Sequence, residues 1–547
     1  MLKIIKSWYE KYPALSSVLL LTLIVFPWLW GRGLQNPDET RYGSIALEMI
    51  NSGNFIIPHL NGVPYFEKPP LLYWLGSLST WLFGQNEGSL RIWALISGAS
   101  IVGLSSHVST KLYCQAAGLN TGLICATSLL MMISGQFFNA DLLVAALITA
   151  SLISFIQSIP VSGKPKGKNF LFLYVFCALA VLAKGLIGVV LPGIIIMTWC
   201  CLARRFDILR VCIWLPGILL FLGITVPWHY AAEIQYPGFL KFYFINEHFQ
   251  RFTTVNHHRN KPIWFFLVVL TLGMLPWSGF IYSAIYKRLC TWRWRETYSQ
   301  TDLFFIVWAV VMFLFFTLSN SQLAGYILPI VAPLGILAGK NLAKSESQGI
   351  HLYGLEFSFI VMLTVALYIG IVGIYIPITK EHILYLGICR WILSAGALIT
   401  AVGYLWQLTK NKVSVTNTAI AFLPFLISVN YSAAIIQPKS IKNLIINNIN
   451  TIQDKPVAVY KTYLLDPTYY LNRPSLMINV VGELGYGLNA SPRPDLFLSE
   501  SELIKKLNAG EQIFILLRKH KLSELPNLTV IDQQGDVVLA KNSKIKP

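Results

Sequence analysis

Residues 16–43 read SSVLLLTLIVFPWLWGRGLQNPDETRYG, and this stretch decides the class of protein. Its first sixteen residues carry no charge; Asp38, Glu39 and Arg41 then follow within ten residues. An uncharged run of this kind suits a bilayer. Two adjacent carboxylates and a guanidinium at its rim need a reason. They are either a hydrophilic exit loop or a site meeting a polar reaction at the edge of the lipid.

The rest of the chain settles the first half of that question. It has 547 residues, 55% hydrophobic and 12% charged, against about 25% charged in soluble domains. Mean hydropathy is +0.57. The chain is a polytopic α-helical membrane protein. Its formal net charge is +18, yet the basic residues lie in short clusters between apolar runs. No basic stripe interleaved with aromatics appears, which argues against nucleic acid as a partner. The eight cysteines lie mostly in or beside apolar spans, show no metal-site spacing and imply no disulfide framework. Lys3, Lys6 and Lys11 precede the first span with no small-residue cleavage site after it, which reads as an uncleaved signal anchor.

About twenty apolar residues cross a bilayer. On that measure about thirteen spans are expected: 14–33, 90–112, 116–136, 140–160, 169–185, 186–203, 208–228, 262–286, 302–318, 325–342, 353–376, 384–407 and 416–436. With the N-terminus in the cytoplasm, the inner loops hold Lys111, KPKGK at 164–168, Arg204 and Arg205, KRLCTWRWR at 287–295, Lys340 and Lys344, and Lys410 and Lys412. Every one is basic, as the positive-inside rule requires. The outer face then receives the loops 34–89, 229–261, 319–325 and 377–383 and everything after 437. The expected domains are a membrane domain, 1–437, with a long first outer loop, 34–89, and a C-terminal domain, 438–547.

The first outer loop holds two expected helices. One is 38–52, after Pro37 and ending at Gly53. The other is 69–83, PPLLYWLGSLSTWLF, which is aromatic, amphipathic and short for a span. It is expected to lie along the outer surface. After Gln437 the apolar runs shorten. Strands are expected at 457–464, 475–481, 512–517, 528–531 and 536–541, with a serine-capped helix at SESELIKKLN. That is a small α/β domain. No internal repeat appears, which weighs against a secondary transporter.

Four polar clusters fall on the expected outer side. Asp38, Arg41 and Tyr42 share one helix face, with Glu39 beside them. PYFEKPP carries Tyr65, Glu67 and Lys68 between Pro64 and the Pro69–Pro70 pair. NEHFQRFTTVNHHRNKP carries Glu247, His248, Arg251, His257, His258 and Arg259. Asp141 and Lys184 stand at span ends, where an ionisable residue is a functional hypothesis by default. Plainer roles exist for each: the Asp38–Glu39 pair offsets a helix dipole, Glu67–Lys68 is a surface pair, and Asp141 and Lys184 pair to lock two spans. Taken together, a basic set around a few carboxylates points to an anionic ligand, and phosphate suits it. No Walker A or GxGxxG motif accompanies the set, so a lipid-borne phosphate is expected.

PDETRYG, then PYFEKPPLLYW, then NEHFQRF and SNSQLAGYILP together resemble the lipid A 4-amino-4-deoxy-L-arabinose transferases, which are polyprenyl-phosphate-dependent glycosyltransferases of the GT-C class. The protein O-mannosyltransferases are more distant relatives of that class. The likeness spans the whole length and implies a GT-C membrane fold with a C-terminal α/β domain in the periplasm. It implies an acidic catalytic position at Asp38, with Glu39 and Lys68 beside it. It implies substrate or phosphate contacts at Arg41, Tyr42, Tyr65, Asp141, Lys184, Arg251, Arg259 and Tyr326. Glu67 and His248 would be the pair able to hold a bound zinc ion, although two ligands make a poor zinc site; no cofactor is required. The family favours a lysine where Gln322 stands in SNSQL.

The implied reaction is an inverting, pentosyltransferase-type transfer of an amino sugar from undecaprenyl phosphate to a lipid A phosphate at the periplasmic face of the bacterial inner membrane. Added positive charge on lipid A would weaken attraction of cationic antimicrobial peptides such as polymyxin. Competing readings are a polyprenyl-phosphate-sugar-dependent protein O-mannosyltransferase, transfer of another sugar such as galactosamine, and a lipid transporter without chemistry.

Overall fold

The computed structural model describes residues 9–160, 165–250, 261–290, 300–343, 348–372, 383–410, 414–436, 440–525 and 527–542. They form two compact units. One comprises Met1–Leu29, Arg91–Tyr230 and Leu240–Ile436; the other comprises Trp30–Leu90, Ala231–Phe239 and Gln437–Pro547. The expected domains divided the chain at 437. The compact units instead group the first long loop with the C-terminal segment.

The first unit is helical, and in lipid a helix satisfies its backbone polar groups within its own segment. Among the described residues nine helices are long and apolar enough to cross a membrane: Glu87–Leu112, Ala140–Ser158, Gly167–Lys184, Leu215–Gln235, Gln300–Thr317, Ala324–Leu342, Tyr353–Ile371, Gly387–Thr409 and Val415–Ile435. The other expected spans fall on shorter pieces. Pro13–Trp28 and Ile187–Leu202 are apolar but short. The stretch 116–136 is two helices, Gln115–Thr127 and Leu129–Ser134, parted where Ser128 is extended. The stretch 262–286 is likewise Phe265–Gly273 and Ser278–Cys290, with Pro276 between them lacking an amide to continue a ladder. Helices meet through small residues. A Cβ at Gly335 or Gly339 would collide with Cys125 or Thr121 on Gln115–Thr127, so only glycine lets these two helices approach. Large side chains such as Leu219, Ile360 and Leu367 are left exposed on the outside of the helices, which suits lipid as the surrounding solvent.

In the second unit, helix Asp38–Ser52 starts after Pro37 and stops at Gly53, whose φ is +68°. A two-stranded hairpin follows, β1 (His59–Leu60) and β2 (Val63–Pro64), paired antiparallel. Its turn residues Asn61 and Gly62 have φ of 54° and 73°, the double left-handed turn that matches strand twist. Helix Leu71–Phe83 buries Leu72, Tyr73, Gly76 and Ser77 and leaves Leu78, Trp81, Leu82 and Phe83 exposed. That apolar end suits a lipid interface.

The C-terminal part is a six-stranded sheet of β3 (Val457–Tyr460), β4 (Leu476–Ile478), β5 (Phe497–Leu498), β6 (Phe514–Arg518), β7 (Leu528–Gln534) and β8 (Val537–Asn542). The order is β5-β4-β3-β6-β8-β7. The first four strands are parallel, while β8 pairs antiparallel with β6 and β7. The central strand VAVY is buried at all four positions, as a strand covered on both faces must be. Ser499 caps helix Glu500–Asn508 in a reciprocal capping box with Glu502, as the serine cap predicted. Strand β5 and the short helices Asp466–Tyr470 and Gly485–Ala490 lie outside the expected elements.

Candidate functional site

The loop unit assembles its polar cluster from both ends of the chain. Arg41 lies one turn after Asp38 on the same helix and pairs with it. Its other guanidinium nitrogen pairs with Glu483, which lies beyond the carboxyl end of β4. The guanidinium also donates to the Tyr42 hydroxyl at 3.3 Å and stands 4.8 Å from that ring's centre. Burial alone would pull the Arg41 guanidinium down. Tyr65, Tyr42, Glu483 and Asp38 around it hold it well above its ordinary value, so it is a fixed cation. The side chain of Arg41 is 6% exposed, whereas that of Asp38 is 50% exposed. Asp38 is therefore far more open to a ligand than Arg41, which braces it.

Tyr65 connects this brace to the next segment. Its hydroxyl lies 3.3 Å from Glu67 Oε2 and 3.3 Å from Glu483 Oε2. Burial pushes the Tyr65 hydroxyl well above its usual value, against the pull of Arg41, so it remains a donor. Lys68 Nζ reaches the Glu67 carbonyl at 3.3 Å. Phe66, between them, packs on Tyr236, Phe239 and Tyr486. Helix Asp38–Ser52 and the PYFEKPP segment are thus joined through Glu483.

Glu39 has a different place from Asp38. It is fully buried, and its Oε2 accepts the Gln35 amide at 3.0 Å. That satisfies an otherwise orphan donor before the helix start. Its observed work is to fix the entry to the helix.

The membrane unit holds a second cluster. Asn139 caps helix Ala140–Ser158 by accepting from the amides of Asp141 and Leu142, which places Asp141 in the first turn. Lys184 ends helix Leu171–Lys184, followed by Gly185 at φ +87°. A carboxylate at a helix N-terminus and an ammonium at a C-terminus both oppose the local dipole. The two side chains pair with each other, the plainer of their two expected roles. Lys184 also lies 4.2 Å from the Tyr326 ring centre. A Cβ on Gly325 would lie 2.6 Å from Asp141 Oδ2, so glycine is what admits the carboxylate there. Gln322, at the position where the resemblance implied a lysine, is buried and donates to the Thr317 carbonyl at 2.9 Å, capping the end of helix Gln300–Thr317.

His248 lies in a π-helical turn, Phe242–Gln250; its side chain, and Arg251 and Arg259 altogether, lie outside the described residues. Among the described residues no group of three His, Cys, Asp or Glu side chains is arranged to hold a metal ion. Glu67, one half of the expected metal pair, is engaged by Tyr65.

Glu483 was not expected from the sequence. The signal available was a lone acid between glycines, VVGELGYG, after a strand of a parallel sheet, where ligand-facing loops gather. Its inclusion changes the balance of charge. Among the described residues of this cluster, three carboxylates (Asp38, Glu67, Glu483) accompany two cations (Arg41, Lys68). The sequence suggested the reverse.

The chain is similar to several known proteins. A dolichyl-phosphate-mannose-protein mannosyltransferase family model matches residues 67–230. An undecaprenyl phosphate-alpha-4-amino-4-deoxy-L-arabinose arabinosyl transferase of Proteus mirabilis is 28% identical over 97% of this chain and 98% of its own. One from Edwardsiella ictaluri is 32% identical over 62% of this chain and 61% of its own. The crystal structure of ArnT from Cupriavidus metallidurans bound to undecaprenyl phosphate superposes with a TM-score of 0.83 at 23% identity, covering 97% of this chain and 98% of that one.

Proposed function

We propose that this ArnT-like membrane glycosyltransferase of the GT-C class, which uses a polyprenyl-phosphate sugar donor, moves 4-amino-4-deoxy-L-arabinose from undecaprenyl phosphate to a phosphate of lipid A. The observation that carries the reading is the half-exposed Asp38 carboxylate held by a buried Arg41 whose far side is locked by Glu483. The curated relatives named above support the sugar and the donor.

The chemistry asks little of a base. A phosphate monoester has a second pKa of about 6 and is already an anion near neutrality. Its oxygen attacks the anomeric carbon from the face opposite the donor phosphate. The new carbon–oxygen bond forms, the bond to the undecaprenyl phosphate oxygen breaks, and the configuration inverts. No proton has to move. Asp38 then serves as a fixed negative charge toward the oxocarbenium-like transition state and the sugar ammonium. Lys68 offsets the charge growing on the leaving phosphate. Arg41 holds Asp38, Tyr42 accepts from Arg41, and Tyr65 engages Glu67 beside Lys68. Arg251 and Arg259 are assigned to phosphate binding, as are Lys184 and Tyr326 beside Asp141 in the membrane unit. Glu39 is assigned a structural part.

We place the reaction at the periplasmic face of the inner membrane, because every expected inner loop is basic. A second reading, transfer of a sugar to a protein hydroxyl, draws on the family model over residues 67–230. That acceptor must lose a proton, and Asp38 would have to take it. Mass spectrometry of lipid A from cells with the wild-type chain or with Asp38→Ala separates the readings. The expected result is a pentosamine-sized increase on a phosphate with the wild type and none with the variant. Unchanged lipid A with altered glycoproteins selects the hydroxyl reading, and wild-type modification by Asp38→Ala removes Asp38 from the reaction.

A further inference from the structure

The segment that carries Glu67 and Lys68 is gripped along its length by the C-terminal domain. At the hairpin turn, Asn61 Nδ2 donates to the Ser475 carbonyl at 2.9 Å. Its Oδ1 accepts from the Ser475 amide at 2.7 Å and from the Thr468 hydroxyl at 3.1 Å. Arg493 donates to the Gly62 carbonyl at 3.2 Å. At Pro64 the helix Gly485–Ala490 approaches so closely that a Cβ on Gly487 would run into the Pro64 carbonyl oxygen. The Tyr65 hydroxyl reaches Glu483, and the Phe66 ring meets Tyr486 edge to face at 5.6 Å. Five of the six residues 61–66 are therefore held by residues more than 400 positions away in the chain.

The loop's own helix supplies the complementary hold. Glu48 accepts the Asn61 amide at 2.6 Å and the Gly62 amide at 3.1 Å. It sits in the wall of a cavity of about 460 Å³ that Arg473 and Arg493 also line. A two-residue turn has few internal hydrogen bonds, and the tip residues alone would not fix the orientation of the PYFEKPP segment beyond it. Here both faces of the tip are pinned.

We propose that the C-terminal α/β domain is a template that sets the conformation of residues 59–68, with Asn61 and Gly487 as positioning residues for Lys68 and Glu67. Its consequence for turnover rests on the glycosyl-transfer reading above; its structural content does not. Misplacing a reacting group by about 1 Å costs on the order of 100-fold in rate.

The test uses the full-length protein in nanodiscs. Asn61→Asp keeps the size and the tolerance for positive φ but turns a carboxylate oxygen toward the Ser475 carbonyl. Gly487→Ala pushes on the Pro64 carbonyl. Hydrogen exchange is followed at residues 59–67 and at Val457–Tyr460, together with kcat and KM for the undecaprenyl-phosphate amino sugar. The expected result is lost protection at 59–67 alone, with kcat lowered about 10- to 100-fold and KM within about two-fold. Unchanged protection at 59–67 in both variants overturns the proposal. So does loss of protection in Val457–Tyr460 as well, which would make the hairpin part of the domain core. So does wild-type kcat with a loosened loop. If the wild-type protein itself transfers no sugar, the functional reading fails, and the exchange pattern alone decides the template.

Discussion

Glu48 offers a measurable test of which force dominates at the hairpin. Its carboxyl is pushed from an ordinary 4.5 up to about 7, with burial the largest cause. The amides of Gly62 and Asn61 and the charge of Arg493 pull the other way and lose. At about 1.4 kcal/mol per pH unit, the folded unit favours the protonated acid by about 3 kcal/mol. The sign is then fixed. Between 4.5 and about 7 the folded state binds more protons than the open one, so the contribution is complete below 4.5 and is lost as pH rises to about 7. Above that it is flat. The facing titratable groups are few. Arg493 stays charged, and His59, lowered by burial and then by Arg493, acts with the opposite sign below its ordinary 6.5. The assay is amide exchange at Asn61 and Gly62, corrected for the intrinsic rate, from pH 5 to 8.5, in a His59→Gln background. Protection should fall across the window by up to about 3 kcal/mol and then level, while Glu48→Gln should show no slope. Protection that rises with pH through the same window would mean that the amides and Arg493 outweigh burial, and the reasoning would be wrong.

The ion pairs carry two further outcomes. Glu483→Gln leaves Arg41 buried with one carboxylate; because the Glu483 side chain is 27% exposed, the cost is set at about 2 kcal/mol rather than the larger figure for a fully buried pair. It should appear as a lower thermal midpoint together with a fall in kcat, and an Arg41→Lys variant should not be benign, since a single ammonium cannot serve two carboxylates in a fork. In the membrane unit, where the Lys184 and Asp141 side chains are 13% and 16% exposed, Lys184→Met alone should destabilise by more than the Asp141→Asn, Lys184→Met pair. A double-mutant cycle in nanodiscs that returns no coupling would show the pair to be incidental.

The elements that were legible in the sequence share a cause: their signals are local. Spans read as uninterrupted apolar runs, and the Glu500–Asn508 helix reads from its serine cap. Asp38, Arg41 and Tyr42 read as one face because three and four residues bring side chains together on a helix. Breaks inside expected spans were harder, since Ser128 and Pro276 interrupt hydrogen bonding without interrupting hydropathy. Strand β5, two residues long, leaves too little pattern to see. Glu483 and Asn61 escaped for another reason. Their partners lie more than 400 positions away, and nothing in a local window announces a contact made by tertiary packing. Glu39 shows the converse. Its neighbour Asp38 lies on the same local pattern, but a rotation of one residue along the helix sends one carboxylate outward and the other to the Gln35 amide.

The charge count of the loop cluster bears on what it prefers to hold. A set of cations around few acids would favour a phosphate wherever it came from, and discrimination among lipid phosphates would be weak. Glu483 pairs with Arg41 inside the protein, so that cation is already matched by a carboxylate of the chain. On the proposed reading Lys68 serves the phosphate, while the Asp38 carboxylate is half exposed. A carboxylate and an ammonium in those roles favour a ligand that carries both a positive group and a phosphate, and gain little from one that is negative throughout. An amino sugar on a lipid phosphate is such a ligand and a neutral hexose is not. Selectivity for the amine therefore tracks the carboxylate that Arg41 braces: Asp38→Asn should narrow the preference for amino over neutral sugar donors in competition, beyond its effect on rate. Equal loss for both donors would assign Asp38 to the transition state alone.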